Sequence, residues 1–367
     1  MNSLKQTADG GYILGGSSES SISGDKTENC LGQYDYWVVK LNATGAIQWQ
    51  NTIGGNSDES ISSLQQTADG GYILGGSSSS TVSGDKTENC LGESDYWVIK
   101  LNSTGAIQWQ NTIGGNHADF LNAIHQTADG GYILGGASNS GISGDKTENR
   151  FGINDFWVVK LDGVGNIQWQ NTIGGSDYDA FKFLDQTSDG GYIIGGWSNS
   201  DLSGDKTENC LGNDDFWIVK LNAMGTIQWE NTIGGVGHDM PNSIQQTADG
   251  GYILGGLSLS NISYDKTENC LGSSDFWVIK LAPETVPTEE APTALGSLTI
   301  YPNPTADVLF LRSEAATTLC LHNAFGQILS KQTIQGQGKI DLLPYPNGIY
   351  YLVEMETGIV HKILKVK

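Results

Sequence analysis

The hydrophobic and polar positions of this chain repeat every 60 residues, with no insertion or deletion, through five passes. Four runs within one pass have the patterning of strands. Residues 61–67 form the first, and 71–78 follow across Asp69-Gly70, a two-residue hairpin signal. The third, 95–101, sets Trp97, Ile99 and Leu101 on one face and Tyr96, Val98 and Lys100 on the other. A turn through Asn102-Ser103-Thr104-Gly105 leads to the fourth, 107–113, where Ile107, Trp109 and Ile113 alternate with Gln108, Gln110 and Thr112. Clean alternation predicts a half-exposed strand, whereas apolar residues on both faces predict buried middle strands.

Three phrases mark the period. QTADGGYILGG starts at 6, 66, 126 and 246, with the variant QTSDGGYIIGG at 186. DYWVVKL starts at 35 and returns with conservative changes at 95, 155, 215 and 275. IQWQNTIGG starts at 47, 107 and 167, returns as IQWENTIGG at 227, and has no fifth copy. Units of this kind cannot bury their apolar faces alone and must stack. Four antiparallel strands per unit, the last half-exposed, predict an all-β fold: a β-propeller of about five four-stranded blades. The same phrases resemble bacterial β-propeller repeats of this length over residues 1–281, a likeness that speaks to fold and not to function. The first unit holds only a stub of its inner strand, and MNSLKQTADGG lacks a charged start and an apolar run. The expectation is a chain truncated at its N-terminus.

After Leu281 the pattern ends. APETVPTEEAPTA, residues 282–294, reads as an extended, exposed linker. From Leu295 seven short runs, 297–301, 308–312, 318–322, 327–334, 340–342, 349–355 and 359–366, predict a small Ig-like β-sandwich. The successive segments LTIYPNPTADVLFL, CLHNAFGQIL, KIDLLPYPNGIYYLVEM and VHKILKVK resemble the type A C-terminal sorting domain of the type IX secretion system. The resemblance is carried by Tyr301, Pro302, Asn303, Pro304, the turn glycine Gly326, the run Gly348, Ile349, Tyr350, and the basic end Lys362, Lys365, Lys367. It implies a cargo of a Bacteroidetes-type bacterium, passed through the outer membrane by that machinery as its partner. The domain is then removed, and the cargo is released or attached to surface lipopolysaccharide. The acidic linker is the natural region for that cleavage.

Charge narrows the partners. Six basic and five acidic residues follow position 295, so the total of −22 leaves −23 on the first 295 residues. Such a surface repels phosphate backbones, which argues against nucleic acid and for cations, basic partners or solubility outside the cell. No stretch is long and apolar enough to span a membrane as a helix. Four of the five cysteines, Cys30, Cys90, Cys210 and Cys270, hold one repeat position in separate units. They read as small buried residues rather than disulfides, and leave the compartment open.

In the expected topology the turns ADGG and NATG lie at one end of each blade. The long loop 77–94 and the connection 114–120 lie at the other, where binding residues are usually found. The connections supply Asp58, His117, Asp119, Asp177, Tyr178, Asp179, His238 and Asp239, a rim suited to a cation, a glycan or a protein ligand. An enzyme would need one unique constellation. The irregular residues His125, Lys182 and Asp185 are candidates, but no spacing links them into a motif. A non-enzymatic adhesion or binding module is therefore expected, ahead of a polysaccharide-active enzyme.

The loop DKTENCLG recurs at 25, 85, 205 and 265, with Arg150-Phe151 replacing Cys-Leu in the copy at 145. An EF-hand register from Asp25 fails, because Cys30 falls where glycine is required and Tyr36 where glutamate is. A non-standard calcium site from Asp25, Glu28, Asn29 and Asp35, in a calcium-stabilised structural protein, is the alternative reading. No CxxC cluster suits zinc. Recurrence in every unit favours a scaffold role, with Asp25 and Asn29 capping nearby backbone amides.

Overall fold

The computed structural model describes residues 1–283, 298–301, 305, 308–323, 328–346, 348–355 and 360–365. These contain strands and no helix. The chain divides into two compact units, 1–284 and 285–367.

In the first unit each repeat folds into its own antiparallel sheet, as its alternation predicts. The second repeat runs from the inner strand Glu59–Gln66 through Tyr72–Ser78 and Asp95–Leu101 to the outer strand Ile107–Ile113. Both middle strands are buried throughout, and the outer one is half-exposed. The first, third and fourth sheets repeat this order; the fifth stops after its third strand, Asp275–Leu281. Among the described residues the fifth sheet has three strands, and the sequence has no fifth copy of IQWQNTIGG. These are blades of a β-propeller type, stacked in sequence through their inner strands.

The hairpin at Asp69-Gly70 is wider than the two-residue turn expected. Thr67 and Gly71 pair across it, and Asp69 Oδ1 accepts from Thr67 Oγ1 at 2.5 Å and from the Gly71 N–H at 3.0 Å. The aspartate side chain stands in for a backbone acceptor and widens the loop. The same carboxylate receives the Lys100 ammonium at 2.9 Å, so the DGG turn and the following WVIK strand are tied together.

Adjacent sheets meet through one interface, made four times. One face of a sheet offers an aromatic residue and a β-branched one, such as Tyr36 and Val38. The facing sheet offers Trp97, Ile99, Leu101, Leu64 and Leu74, and all seven are fully buried. Close approach depends on the paired glycines of YILGG. A Cβ at Gly75 would lie 2.7 Å from Leu121 of the next sheet, and one at Gly76 would lie 2.1 Å from the Ser60 carbonyl. The inner strand carries its register shift opposite these glycines, between Ile61 and Ser63.

The second unit is a five-stranded antiparallel sheet of Thr299–Tyr301, Val308–Asn323, Ile328–Asp341, Gly348–Glu354 and Val360–Lys365. Two pairs of the expected short runs are continuous, because the second and third strands stay paired across a register shift between Ser313 and Thr317. Among the described residues the sheet therefore has five strands where seven were expected. Its core gathers Leu309, Leu311, Leu321, Ile340, Leu352 and Ile363. Of the expected sorting residues, Pro302, Asn303, Pro304, Gly326 and Lys367 lie outside the described residues. Tyr301, Gly348, Ile349, Tyr350, Lys362 and Lys365 all lie on strands. Lys365 is buried, donating to the Leu342 and Tyr345 carbonyls at 2.8 and 2.7 Å.

Candidate functional site

The long loop and the between-sheet connection do lie together at one end of each junction: the Asp85 N–H donates to the Gly54 carbonyl at 2.8 Å. The DKTENC segment is built into this end as a latch. Asp85 Oδ2 accepts the Gly54 N–H of the preceding sheet at 3.2 Å. Lys86 is buried, with its ammonium 5.1 Å from the centre of the Trp97 ring and bonded to Thr112 Oγ1. Glu88 Oε2 accepts the Thr112 N–H at 2.6 Å, and Asn89 Oδ1 accepts the Val82 N–H at 2.8 Å.

In the first repeat the proposed calcium ligands are engaged in the same way. Glu28 accepts the Thr52 N–H, Asn29 the Ile22 N–H, and Asp35 the Leu31 N–H. For Asp25 it is the carbonyl that is engaged, accepting from Gln50 Nε2. The oxygens of Glu28, Asn29 and Asp35 thus hold separate backbone segments instead of converging. Among the described residues no group of three or more His, Cys, Asp or Glu is placed to hold a metal.

The eight rim candidates separate into two sets. Asp119, Asp179 and Asp239 are fully buried. Each accepts the N–H of a connection glycine, Gly115, Gly175 or Gly235, at 2.7 Å. Ser140 and Ser260 donate to the first and last of them at 3.0 and 2.7 Å. They pair off along the junctions with Asp95, Asp155 and Asp215, also fully buried. Asp95 and Asp119 each keep one oxygen without a hydrogen-bond partner. Burial pushes the Asp95 carboxyl up to about 6, and the charge of Asp119 adds to the effect. Burial likewise lifts Asp179 to about 6. These three residues serve the junctions, and a ligand at the rim would not reach them.

Asp58, His117, Asp177 and Tyr178 are exposed, and His238 is partly so. His238 Nδ1 pairs with Asp214 Oδ2. Tyr178 stacks on Trp197, with ring centroids 5.2 Å apart and planes 21° from parallel. Asn199 Oδ1 fixes the tyrosine by accepting its N–H at 2.9 Å. Trp197, Asn199 and Asp214 were absent from the sequence-based list. Trp197 was detectable, since the same position holds Ser17, Ser77, Ala137 and Leu257 in the other units.

At the other end, His125 and Asp185 hold one position on consecutive inner strands, together with Lys5, Gln65 and Gln245. His125 Nδ1 lies 3.8 Å from Asp185 Oδ1. Burial lowers the imidazole's proton affinity, Lys5 lowers it further, and Asp185 opposes both. Lys182 is exposed and joins neither group.

Residues 299–366 match the family model of the secretion system C-terminal sorting domain. That agrees with the resemblance of the same segment to the type IX sorting domain. The domain marks the chain as a secreted cargo with a β-repeat body, exported to the surface or the medium, and implies engagement of the type IX machinery. No curated protein sequence matches the chain. Among solved structures, two variants of the Synechocystis apocarotenoid oxygenase are similar at 12% identity. Their TM-scores are 0.34 and 0.33, with 83% and 88% of this chain and 70% and 76% of theirs covered. At those scores the likeness carries no argument about fold or activity. No helix among the described residues is long and apolar enough to cross a membrane.

Proposed function

We propose that this protein is a non-enzymatic ligand-binding or adhesion cargo of a Bacteroidetes-type cell, displayed at the surface or released. Its C-terminal domain acts as the outer-membrane translocation signal, and the acidic linker takes the processing cut. The ligand sits at the long-loop end of the fourth repeat. The observation that carries this reading is the stacked pair Tyr178 and Trp197 beside exposed Asp177. A fixed aromatic pair of exposed Tyr178 and half-buried Trp197 next to a carboxylate suits the apolar face and hydroxyls of a sugar ring. A glycan array with the full chain and with Trp197→Ala and Tyr178→Ala tests it. Binding lost in both variants supports the reading; binding that is absent, or indifferent to both, removes it.

A second reading, a polysaccharide-active enzyme, draws on the approach of His125 to Asp185. A histidine beside a carboxylate is the minimal arrangement for general base work. Turnover on a hydrolase panel that disappears in His125→Ala would replace the first reading with this one.

A further inference from the structure

A second set of side chains meets at the ADGG end of each junction, away from the connections and from Tyr178 and Trp197. Between the first and second sheets they line a cavity of about 450 Å³, with Asp9, Lys40, Gln48 and Trp49 from one sheet and Gln66 and Tyr72 from the next. That volume falls within the ~300–1,000 Å³ of small-molecule sites. Two bonds across the junction build it. The Ala8 N–H donates to Gln66 Oε1 at 2.8 Å, and Asn51 Nδ2 donates to the Gly105 carbonyl at 2.6 Å. The second bond holds a turn of the later sheet against Trp49: a Cβ at Gly105, where φ is +88°, would lie 3.0 Å from the indole.

Tyr72 is 2% exposed and meets Trp49 edge-on, with ring centroids 5.6 Å apart. Its hydroxyl has no hydrogen-bond partner among the described residues, although a buried phenol ordinarily finds one. The sealed side-chain atoms that lack partners are all carboxylate oxygens, so the Tyr72 hydroxyl opens into the cavity it lines. The indole N–H of half-buried Trp49 is unpartnered in the same way. The next two junctions repeat the arrangement. Trp109 meets Tyr132 at 5.6 Å and Trp169 meets Tyr192 at 5.8 Å. Both tyrosines are 2% exposed, and neither hydroxyl has a partner among the described residues. All three junctions join complete four-stranded sheets.

The charges in the cavity cancel. The Lys40 ammonium holds Asp9 at 2.9 Å and donates to the Leu41 carbonyl and to Gln48 Oε1, which uses all its protons. A phosphate or an ammonium would therefore find no net opposite charge. What remains is a phenol hydroxyl, an indole N–H and the Gln48 amide N–H groups beside an aromatic surface. Neutral donors and acceptors around a ring match a sugar. The negative charge of the first unit disfavours acidic sugars. We infer that these three junctions carry equivalent sites for a neutral sugar residue, which sits against Trp49, Trp109 or Trp169 and bonds the hydroxyl of Tyr72, Tyr132 or Tyr192. Three like sites on one scaffold engage a repeating glycan together, so weak single contacts gain avidity. These sites are separate from the one at Tyr178 and do not depend on it.

A glycan array tests this with the full chain, with Trp197→Ala, and with the triple variant Tyr72→Phe, Tyr132→Phe, Tyr192→Phe. The array carries neutral glycans of glucose, galactose, mannose and N-acetylglucosamine, with sialylated and sulfated glycans for comparison. The expected result is a set of neutral glycans that Trp197→Ala still binds and the tyrosine variant binds roughly tenfold more weakly, since each site loses one hydrogen bond and the sites act together. The tyrosine variant should keep the parent's melting temperature, because the deleted hydroxyls have no partner to lose. Gln48→Ala, Gln108→Ala and Gln168→Ala, at exposed positions, make a second triple variant with the same expected loss. Glycans lost in Trp197→Ala alone bear on the Tyr178 site and not on this one. The inference is overturned if no neutral glycan survives replacement of Trp197, or if either triple variant binds as the parent does. A lower melting temperature in the tyrosine variant also overturns it, by showing that the protein itself holds the hydroxyls.

Discussion

Lys146 holds its ammonium 5.3 Å from the centre of the Trp157 ring, inside the junction between the second and third sheets, and Thr172 Oγ1 accepts its hydrogen bond. The pair recurs as Lys86–Trp97, Lys206–Trp217 and Lys266–Trp277. Burial lowers the Lys146 ammonium to about 8, with Asp119 and Asp155 working against the shift. Two opposed effects meet there: attraction to the ring and loss of hydration. The long aliphatic stem also covers the indole.

Packing is expected to outweigh charge at this position. Lys146→Met keeps the stem and removes the charge, and should stay within about 1 kcal/mol of the parent. Lys146→Ala opens a cavity against Trp157 and should cost about 2–3 kcal/mol. Urea unfolding followed by tryptophan fluorescence checks both. Equal losses in the two variants would show that the charge itself matters.

The buried carboxylates set the acid side of the stability profile. Asp95, Asp179 and Asp205 are raised by burial to about 6 in the folded chain. Their folded forms bind protons more tightly than their unfolded forms. The stability they contribute is therefore full below the ordinary carboxylate range and is lost as pH rises through about 6. Asp69, Asp129 and Asp189 behave oppositely. They are held near 2 by bonds from threonine, lysine and a glycine N–H, against a burial effect that is largest for Asp129 and Asp189. Their contribution is lost as pH falls toward 2, and it is small because they are largely exposed. The melting temperature should peak near pH 4 and decline toward pH 7. Asp95→Asn should flatten that decline, which calorimetry across the range would show.

The strands were legible because alternation has a direct physical cause: one face of each strand meets another sheet and the other meets solvent or a second sheet. The DKTENC loop was legible as scaffold from its recurrence alone, since the copies at 85, 145, 205 and 265 each close the same kind of junction. Asp119, Asp179 and Asp239 were misplaced because a carboxylate in a connection ordinarily points to water. Their recurring position, opposite fixed Asp95, Asp155 and Asp215 and serines at 140, 200 and 260, held the information that they are buried. The approach of His125 to Asp185 follows from equal positions on neighbouring inner strands, once those strands are known to stack. The pairing of Tyr178 with Trp197 joins two non-repeating residues, which periodicity does not report.

Gly114 should be among the least replaceable residues in the first unit. A Cβ there would lie 2.0 Å from Asp95 Oδ1, in a fully buried carboxylate whose other oxygen is held by the Leu91 and Gly92 N–H groups. Gly130, at φ +82°, has nothing within 4 Å of the equivalent position. Its replacement costs only the left-handed backbone conformation, about 1 kcal/mol. Gly114→Ala should cost about 3 kcal/mol, since the clash displaces a buried carboxylate from its hydrogen bonds. Parallel urea titrations of the two variants would separate close approach from conformational freedom.

The recurring cysteines should behave as capping donors and not as reactive thiols. Cys90 Sγ donates to the Ser78 carbonyl at 2.7 Å, and Cys30 and Cys210 approach the Gln33 and Asn213 carbonyls at 3.4 and 3.7 Å. In the third repeat Arg150 Nη1 donates to the corresponding Ile153 carbonyl at 2.9 Å, so a different side chain serves the same acceptor. Burial pushes the Cys90 thiol up to about 11 and the Cys210 thiol to about 12. Only the thiolate attacks an alkylating reagent, so both should label slowly at pH 8, with Cys30 faster because it is less enclosed. Cys90→Ser retains a donor and should lose no more than about 1 kcal/mol. Rapid iodoacetamide labelling of Cys90 or Cys210 in the folded chain, read by peptide mass, would contradict this and restore the loop as a site of chemistry.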